Sequence, residues 1–112
     1  MKGPYSLTEG QIGSNVLAQA GTYVLVNTNN NAIYVGRADT DLNNRVKDHL
    51  PQNEVNICIK RSGVTVFYFE HTQSSKDAYI LECDWYHKYK PTCNAAHPAK
   101  SSINLFCPIC GL

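Results

Sequence analysis

Five side chains have types and spacings that could do chemistry together: Glu82, Arg45, His49 and the phenols Tyr23 and Tyr34. Arg45 and His49 stand four residues apart, one turn on a helix face. The Arg45 guanidinium offers planar donors matched to phosphate oxygens. Glu82 follows Ala78 by four residues and precedes Trp85 by three, so on a helix it borders an apolar row. A carboxylate there costs free energy unless it is paired or bound to a cation. Each phenol lies in a run of strand formers, GTYVLV and AIYVGR, and the second run breaks at Gly36 into Arg37. A tyrosine with its ordinary pKa of roughly 10 is a poor base at neutral pH, but a nearby cation or arginine favours the phenolate. Each residue taken singly also has a plain structural reading. Strand tyrosines pack half-buried, a helix arginine beside an apolar stripe reaches for solvent, a helix glutamate faces water or a nearby lysine such as Lys88, and His49 can pack on a helix flank.

A second constellation lies at the end of the chain. Cys93-x3-His97 and Cys107-x2-Cys110 supply four ligands of the kind found in closed tetrahedral zinc sites, where the metal is structural because every position is filled. The competing reading is a set of reduced thiols. Five cysteines, an odd number, in a chain whose polar start MKGPYSLTEG has no hydrophobic signal region argue against a disulfide framework. Cys58 and Cys83 read as small buried hydrophobes.

The elements that must position these residues follow from periodicity and breakers. Ser6 with Glu9 resembles a capping box ahead of a helix carrying Ile12, Val16 and Leu17. Gly21 ends that helix, and GTYVLVNTNNNAIYVGR reads as an antiparallel hairpin around an asparagine turn. Alternation places Tyr23, Leu25 and Asn27 on one face of the first strand, and Ala32, Tyr34 and Gly36 on one face of the second. Asp39, Thr40 or Asp41 caps a helix with the stripe Leu42, Val46 and Leu50, closed by Pro51. Val55 to Lys60 and Val64 to Glu70 both read as strands. Ser74 with Asp77 caps a helix from about Ser75 to Tyr89, ended by Pro91, with the apolar row Ala78, Leu81, Trp85 and Tyr89. The acids Asp39, Asp41, Asp48, Glu54, Glu70, Asp77 and Asp84 fall at caps or on solvent faces.

The chain as a whole sets bounds. Its 112 residues are the usual size of one domain, here 1–112 with 93–112 a cysteine-containing tail. Hydrophobic residues at 43% and charged residues at 17% describe a globular protein. No apolar run approaches membrane-spanning length, which predicts an intracellular, cytoplasmic protein with no membrane partner. A net charge of +1 implies that any grip on nucleic acid is small and local.

The order GTY, YVG, then Arg45 and His49, then Glu82, then Asn94 resembles the GIY-YIG nuclease superfamily, over about Gly21 to Pro98. Gly21-Thr22-Tyr23 stands for the first triplet with Thr for Ile, and Tyr34-Val35-Gly36 for the second with Val for Ile. Leu42 and Arg45 match the LxxR of the next helix, with one extra residue in the loop before it. The AHP turn and terminal CPICG resemble small stand-alone prokaryotic or phage-type members. The resemblance implies an α+β fold with a small antiparallel three-stranded central sheet flanked by helices. It implies a metal-dependent DNA endonuclease of the repair or recombination kind, with Tyr23 or Tyr34 as general base, Arg45 as phosphate clamp, His49 orienting a tyrosine or the water, and Glu82 holding one Mg²⁺ or Mn²⁺. Gly36, Arg37 and Asn94 fall at substrate-binding positions, and Gly36 would let the DNA backbone approach. A lone carboxylate suits one hard, largely hydrated cation. With so few cations in the chain, a branched or damaged DNA, or targeting by a partner protein, is expected over tight sequence-specific binding. Two other readings stand beside this one: a non-catalytic nucleic-acid-binding or adaptor domain that keeps the fold, and a redox or zinc-sensing protein built around the cysteines. Intact Glu82 and Arg45 argue against the adaptor. The sensor leaves the phenols, arginine and glutamate unexplained.

Overall fold

In the computed structural model, which describes residues 1–112, the chain runs β1 (Lys2–Ser6), α1 (Glu9–Asn15), β2 (Gly21–Asn27), β3 (Ala32–Ala38), α2 (Leu42–Lys47), α3 (Ile57–Arg61), β4 (Val64–His71) and α4 (Ser75–Tyr89). The strands form one antiparallel sheet in the order β1-β4-β2-β3, and the fold is α+β. The sheet has four strands where three were expected. The addition is β1, whose Lys2, Tyr5 and Ser6 pair with Phe69, Phe67 and Val66 and so cover the outer edge of β4.

The β2–β3 hairpin turns as its asparagines suggest. The Asn27 side-chain oxygen accepts the backbone N–H groups of Asn29 and Asn31, and Asn30 takes a left-handed φ of 64°. A register shift between Leu25 and Val26 turns Ala32 toward α4, away from the face it was expected to share with Tyr34. Tyr23 and Tyr34 do share a face.

Each face of the sheet buries a separate cluster. On one, Tyr23, Leu25, Phe67 and Phe69 pack against Ile12 of α1, Leu42, Val46 and Leu50 of and after α2, and Ile59 of α3. On the other, Val24, Val26 and Val35 meet Trp85 of α4. Thr22 ties the second layer: its buried hydroxyl donates to the Ala78 carbonyl at 2.8 Å. Thr22 thus adds a hydrogen bond between β2 and α4 that an aliphatic residue could not make.

Caps explain the helix starts. Ser74 accepts from Asp77 N–H and Asp41 from Asn44 N–H, as expected, while α1 is capped by Thr8, not Ser6. Residues 57–61 are helical where a strand was expected, because Asn56 accepts the Ile59 N–H and nucleates a turn that the alternation of ICIK does not reveal. α3 brings Cys58 to Cys93, and the two form a disulfide with Cα atoms 5.7 Å apart. Cys58 is therefore not a buried thiol, and Cys93 is not available as a zinc ligand. Cys83 is free and buried, as expected. No helix is long and apolar enough to cross a membrane.

Candidate active site

The edge strand β3 is where the two layers meet. Beyond α4 the chain turns back along its free edge: Thr92 N–H and Cys93 N–H donate to the carbonyls of Ala32 and Ile33. Asn94 continues this pairing through its side chain, which accepts Val35 N–H and donates to Val35 C=O, each at 2.9 Å. One N–H and one lone pair of the amide are therefore used on the backbone of β3, so Asn94 braces the site while lining the cleft in which substrate binding was expected of it. The stretch from Asn94 to Ala99 then forms one wall of a cleft of about 480 Å³, whose other walls include Tyr23, Tyr34, Arg37, Arg45 and Glu82.

In this cleft the fold brings together all the catalytic candidates except His49, which stands directly behind it. The Tyr23 hydroxyl lies 2.6 Å from His49 Nε2, and His49 Nδ1 lies 2.6 Å from Glu54 Oε1. Glu54 was expected at a solvent face. It is instead buried at 7% exposure, and its second oxygen accepts Asn56 N–H at 3.2 Å. The carboxylate accepts a hydrogen bond from Nδ1–H, which in the neutral ring leaves Nε2 with a lone pair for the Tyr23 O–H. The result is a directed chain of acid, imidazole and phenol. The His49 ring also lies between the phenols, with centroids 5.2 Å from Tyr23 and 5.3 Å from Tyr34.

Burial dominates the acidity of both phenols. It holds Tyr23 well above its ordinary range, reinforced by Tyr34 and opposed by Arg45, and raises Tyr34 in the same direction, reinforced by Glu82 and again opposed by Arg45. Arg45 thus pulls toward the phenolate at both tyrosines, as expected of a neighbouring cation, and burial outweighs it.

Gly36 sits directly across from Tyr23 in the β2–β3 pairing. A Cβ on Gly36 would overlap the Tyr23 ring carbon that carries the hydroxyl, and the hydroxyl itself. The space expected to admit a DNA backbone is filled by the phenol. Gly36→Ala should displace the Tyr23 hydroxyl from His49, destabilise the fold by about 1–3 kcal/mol through overpacking, and lower any activity routed through that hydroxyl by roughly tenfold to a hundredfold. Thermal denaturation and single-turnover rates measure the two effects.

The two arginines of the cleft differ. Arg37, expected to touch phosphate, donates from Nη1 to Glu82 Oε1 at 2.6 Å and from Nε to Asp39 Oδ1 at 2.9 Å, with its guanidinium 5.2 Å above the Tyr79 ring. It neutralises Glu82. Arg45 makes no ion pair and is exposed at the cleft, so it is the guanidinium available to an incoming anion.

Glu82 is 7% exposed, and burial raises its carboxyl above the usual carboxylate range against the pull of Arg37. Its Oε1 is paired, while its Oε2 accepts no hydrogen bond from the protein. A buried carboxylate with one oxygen uncommitted, on an open polar cleft, fits a hydrated divalent cation that takes few protein ligands. Nothing around Glu82 resembles the carboxylate cluster of a two-metal site.

Glu54 was missed because it follows His49 by five residues, outside the helical spacings that suggest a pair. It arrives through the turn after α2, where its N–H donates to Leu50 C=O at 2.9 Å.

Comparison with known proteins gives a consistent result. The family model for the GIY-YIG catalytic domain matches residues 19–95. The chain is 35% identical over 77 residues to UvrABC system protein C of Clostridium tetani, a match covering 66% of this chain and 12% of that protein. The chain thus spans about one eighth of the length of this curated relative. Among solved structures, the GIY-YIG N-terminal endonuclease domain of UvrC from Thermotoga maritima bound to magnesium is similar at a TM-score of 0.60 and 27% identity, covering 75% of this chain and 96% of that one. A point mutant of the same domain, bound to its catalytic divalent cation, is similar at a TM-score of 0.61 and 26% identity, covering 76% and 96%.

Proposed function

Because the chain belongs to the GIY-YIG catalytic domain family, we propose that it is a DNA endonuclease module in which Tyr23 is the general base, relayed through His49 to Glu54, with Arg45 as the phosphate clamp and Glu82 as the ligand of a divalent cation. The observation that carries this reading is the hydrogen-bonded chain from Glu54 through His49 to Tyr23, ending in the same cleft as Glu82 and Arg45.

Phosphodiester hydrolysis needs an activated water, donors for the charge that builds on the phosphoryl oxygens, and stabilisation of the departing oxygen. Mg²⁺ bound at Glu82 would polarise the scissile phosphate and offset charge on the leaving oxygen. Arg45 receives the phosphate through its planar donors. The Tyr23 oxygen accepts a proton from the attacking water as its own proton passes to His49 Nε2, and the imidazolium that results is stabilised by Glu54. One proton enters the chain and one moves along it, so no free phenolate is needed in a site that disfavours one. Tyr34, half-buried beside His49, donates to the phosphate or the water. Asn94 and Gly36 hold β3 and Tyr23 in register.

The reading is tested by incubating the protein with plasmid, branched and single-stranded DNA in Mg²⁺, in Mn²⁺ and in EDTA. Cleavage should require the divalent ion, and Arg45→Ala should slow it on the order of a hundredfold, the loss seen when one donor to a developing oxyanion is removed. Cleavage that proceeds in EDTA, or at full rate in Arg45→Ala, contradicts the proposal. The comparison among substrates also reports whether a branched structure is preferred.

A further inference from the structure

The C-terminal tail presents a cluster that the cleft does not use. His87 near the end of α4, His97 in the segment that follows, and Cys107 and Cys110 in the last turn bring one ligand atom each to within 4.8 Å of one another. Four donors on a tetrahedral zinc with Zn–S of about 2.3 Å and Zn–N of about 2.0–2.1 Å are separated from each other by roughly 3.3–3.8 Å. His97 Nε2 and Cys110 Sγ already stand 3.4 Å apart.

The surroundings of each donor are those of a prepared ligand. His97 Nδ1 lies 3.1 Å from the Pro98 carbonyl, a contact that fixes the proton on Nδ1 and leaves Nε2 with its lone pair toward the cysteines. His87 Nε2 is buried without any hydrogen-bond partner. A buried imidazole nitrogen left unpaired is costly, and a metal at the centre of this cluster removes that cost. The Cys107–Cys110 turn folds back on itself, with Gly111 N–H donating to Cys107 C=O at 2.9 Å and Gly111 at a φ of 78° that only glycine adopts readily.

The geometry points to a structural zinc site formed by His87, His97, Cys107 and Cys110. Two thiolates and two imidazoles around a closed tetrahedron select zinc over the hard cation that suits Glu82. The set differs from the one read from sequence spacing, because the disulfide with Cys58 removes Cys93 and His87 takes its place. Zinc here pins the tail, through Leu105 and Cys107, onto Tyr79 and Cys83 of α4. It also fixes His97 and with it the Asn94–Ala99 wall of the cleft. The inference stands apart from the nuclease reading, since it concerns metal content and not cleavage.

The test is metal analysis of the full chain purified without chelator, with chelator competition to measure affinity. Wild type should hold one zinc per chain, and Cys93→Ser should hold the same. His87→Asn and Cys110→Ser should each bind more than about a hundredfold more weakly, beyond the loss usual for a residue that only orients a ligand. Cobalt substitution should give the intense visible absorption of a tetrahedral thiolate site in wild type and Cys93→Ser. Cys110 is exposed, so its serine variant keeps the packing of the fold, and circular dichroism verifies this. Wild type that binds no zinc and has a mass lower by two hydrogens per Cys107–Cys110 pair would overturn the proposal in favour of a disulfide. Unchanged zinc affinity in His87→Asn, or its loss in Cys93→Ser, would overturn the ligand set.

Discussion

Glu82→Gln should abolish divalent-dependent cleavage, lowering the rate on the order of a thousandfold or more, because a bound cation supplies several kcal/mol of transition-state stabilisation and each 1.36 kcal/mol is tenfold. The same change should remove the stabilisation that Mg²⁺ gives to the folded protein. Burial raises the Glu82 carboxyl above its unfolded value, so its ionised form is a cost to the cation-free fold. That cost is fully present above the raised folded pKa and is lost progressively as the pH falls from there to the unfolded value. Mg²⁺ relieves it at neutral pH, so wild type should melt higher with Mg²⁺ than without, and the gain should shrink as the pH is lowered toward the Glu82 pKa, starting above the ordinary carboxylate range. Glu82→Gln should show neither the gain nor its pH dependence. It also leaves Arg37 an amide oxygen to donate to and its ion pair with Asp39, so the variant should remain folded. Calorimetric melting with and without Mg²⁺ across pH, beside cleavage rates, reads both effects.

Tyr23→Phe should be nearly as damaging, slowing cleavage by about a thousandfold, within the range attributed to a positioned general base. Tyr34→Phe should cost far less. Although Tyr34 is the more exposed phenol, its hydroxyl has no acceptor to take its proton, whereas Tyr23 has His49 Nε2 at 2.6 Å. Glu54→Gln should keep the imidazole packed yet weaken the stabilisation of the imidazolium, lowering the maximal rate with little change in KM. A variant that acts only through stability would move both or neither. Single-turnover rates for the three variants, measured below their melting temperatures, separate these outcomes.

Much of the architecture was legible from residues. The asparagine turn, the strands carrying both phenols, the stripe of Leu42, Val46 and Leu50, and the Ser74 cap of α4 each follow from local chemistry that tertiary packing did not override. Strand β1 was not legible because Gly3 and Pro4 in KGPYS hide it and its partner β4 lies some sixty positions on in the chain. Helix α3 was misread because the alternation of ICIK mimics a strand, while the deciding feature is one Asn56 cap.

At the site, residue types were legible and their states were not. Glu82, Arg45 and both phenols share a cleft, but what each is bonded to depends on contacts distant in sequence. Arg37 is 45 residues from the carboxylate it neutralises, and Asn94 is 59 residues from the backbone it braces. The acidity of the phenols depends on burial, which a local reading of charges misses. Glu54 carried no periodic signal. In the tail, spacing drew attention to Cys93, yet the ligand geometry belongs to His87, which as a basic residue in the last turn of α4 reads as an ordinary helix end.

The central claim is that Tyr23 and His49 act as one proton path, and the double-mutant cycle Tyr23→Phe, His49→Gln and Tyr23→Phe/His49→Gln, read by single-turnover DNA cleavage in Mg²⁺, tests it most directly. The account predicts that the double variant is no slower than Tyr23→Phe alone, since a broken path cannot be broken twice. Losses that multiply, with the double variant slower by the product of the two single effects, would show that the phenol and the imidazole work independently and would contradict it.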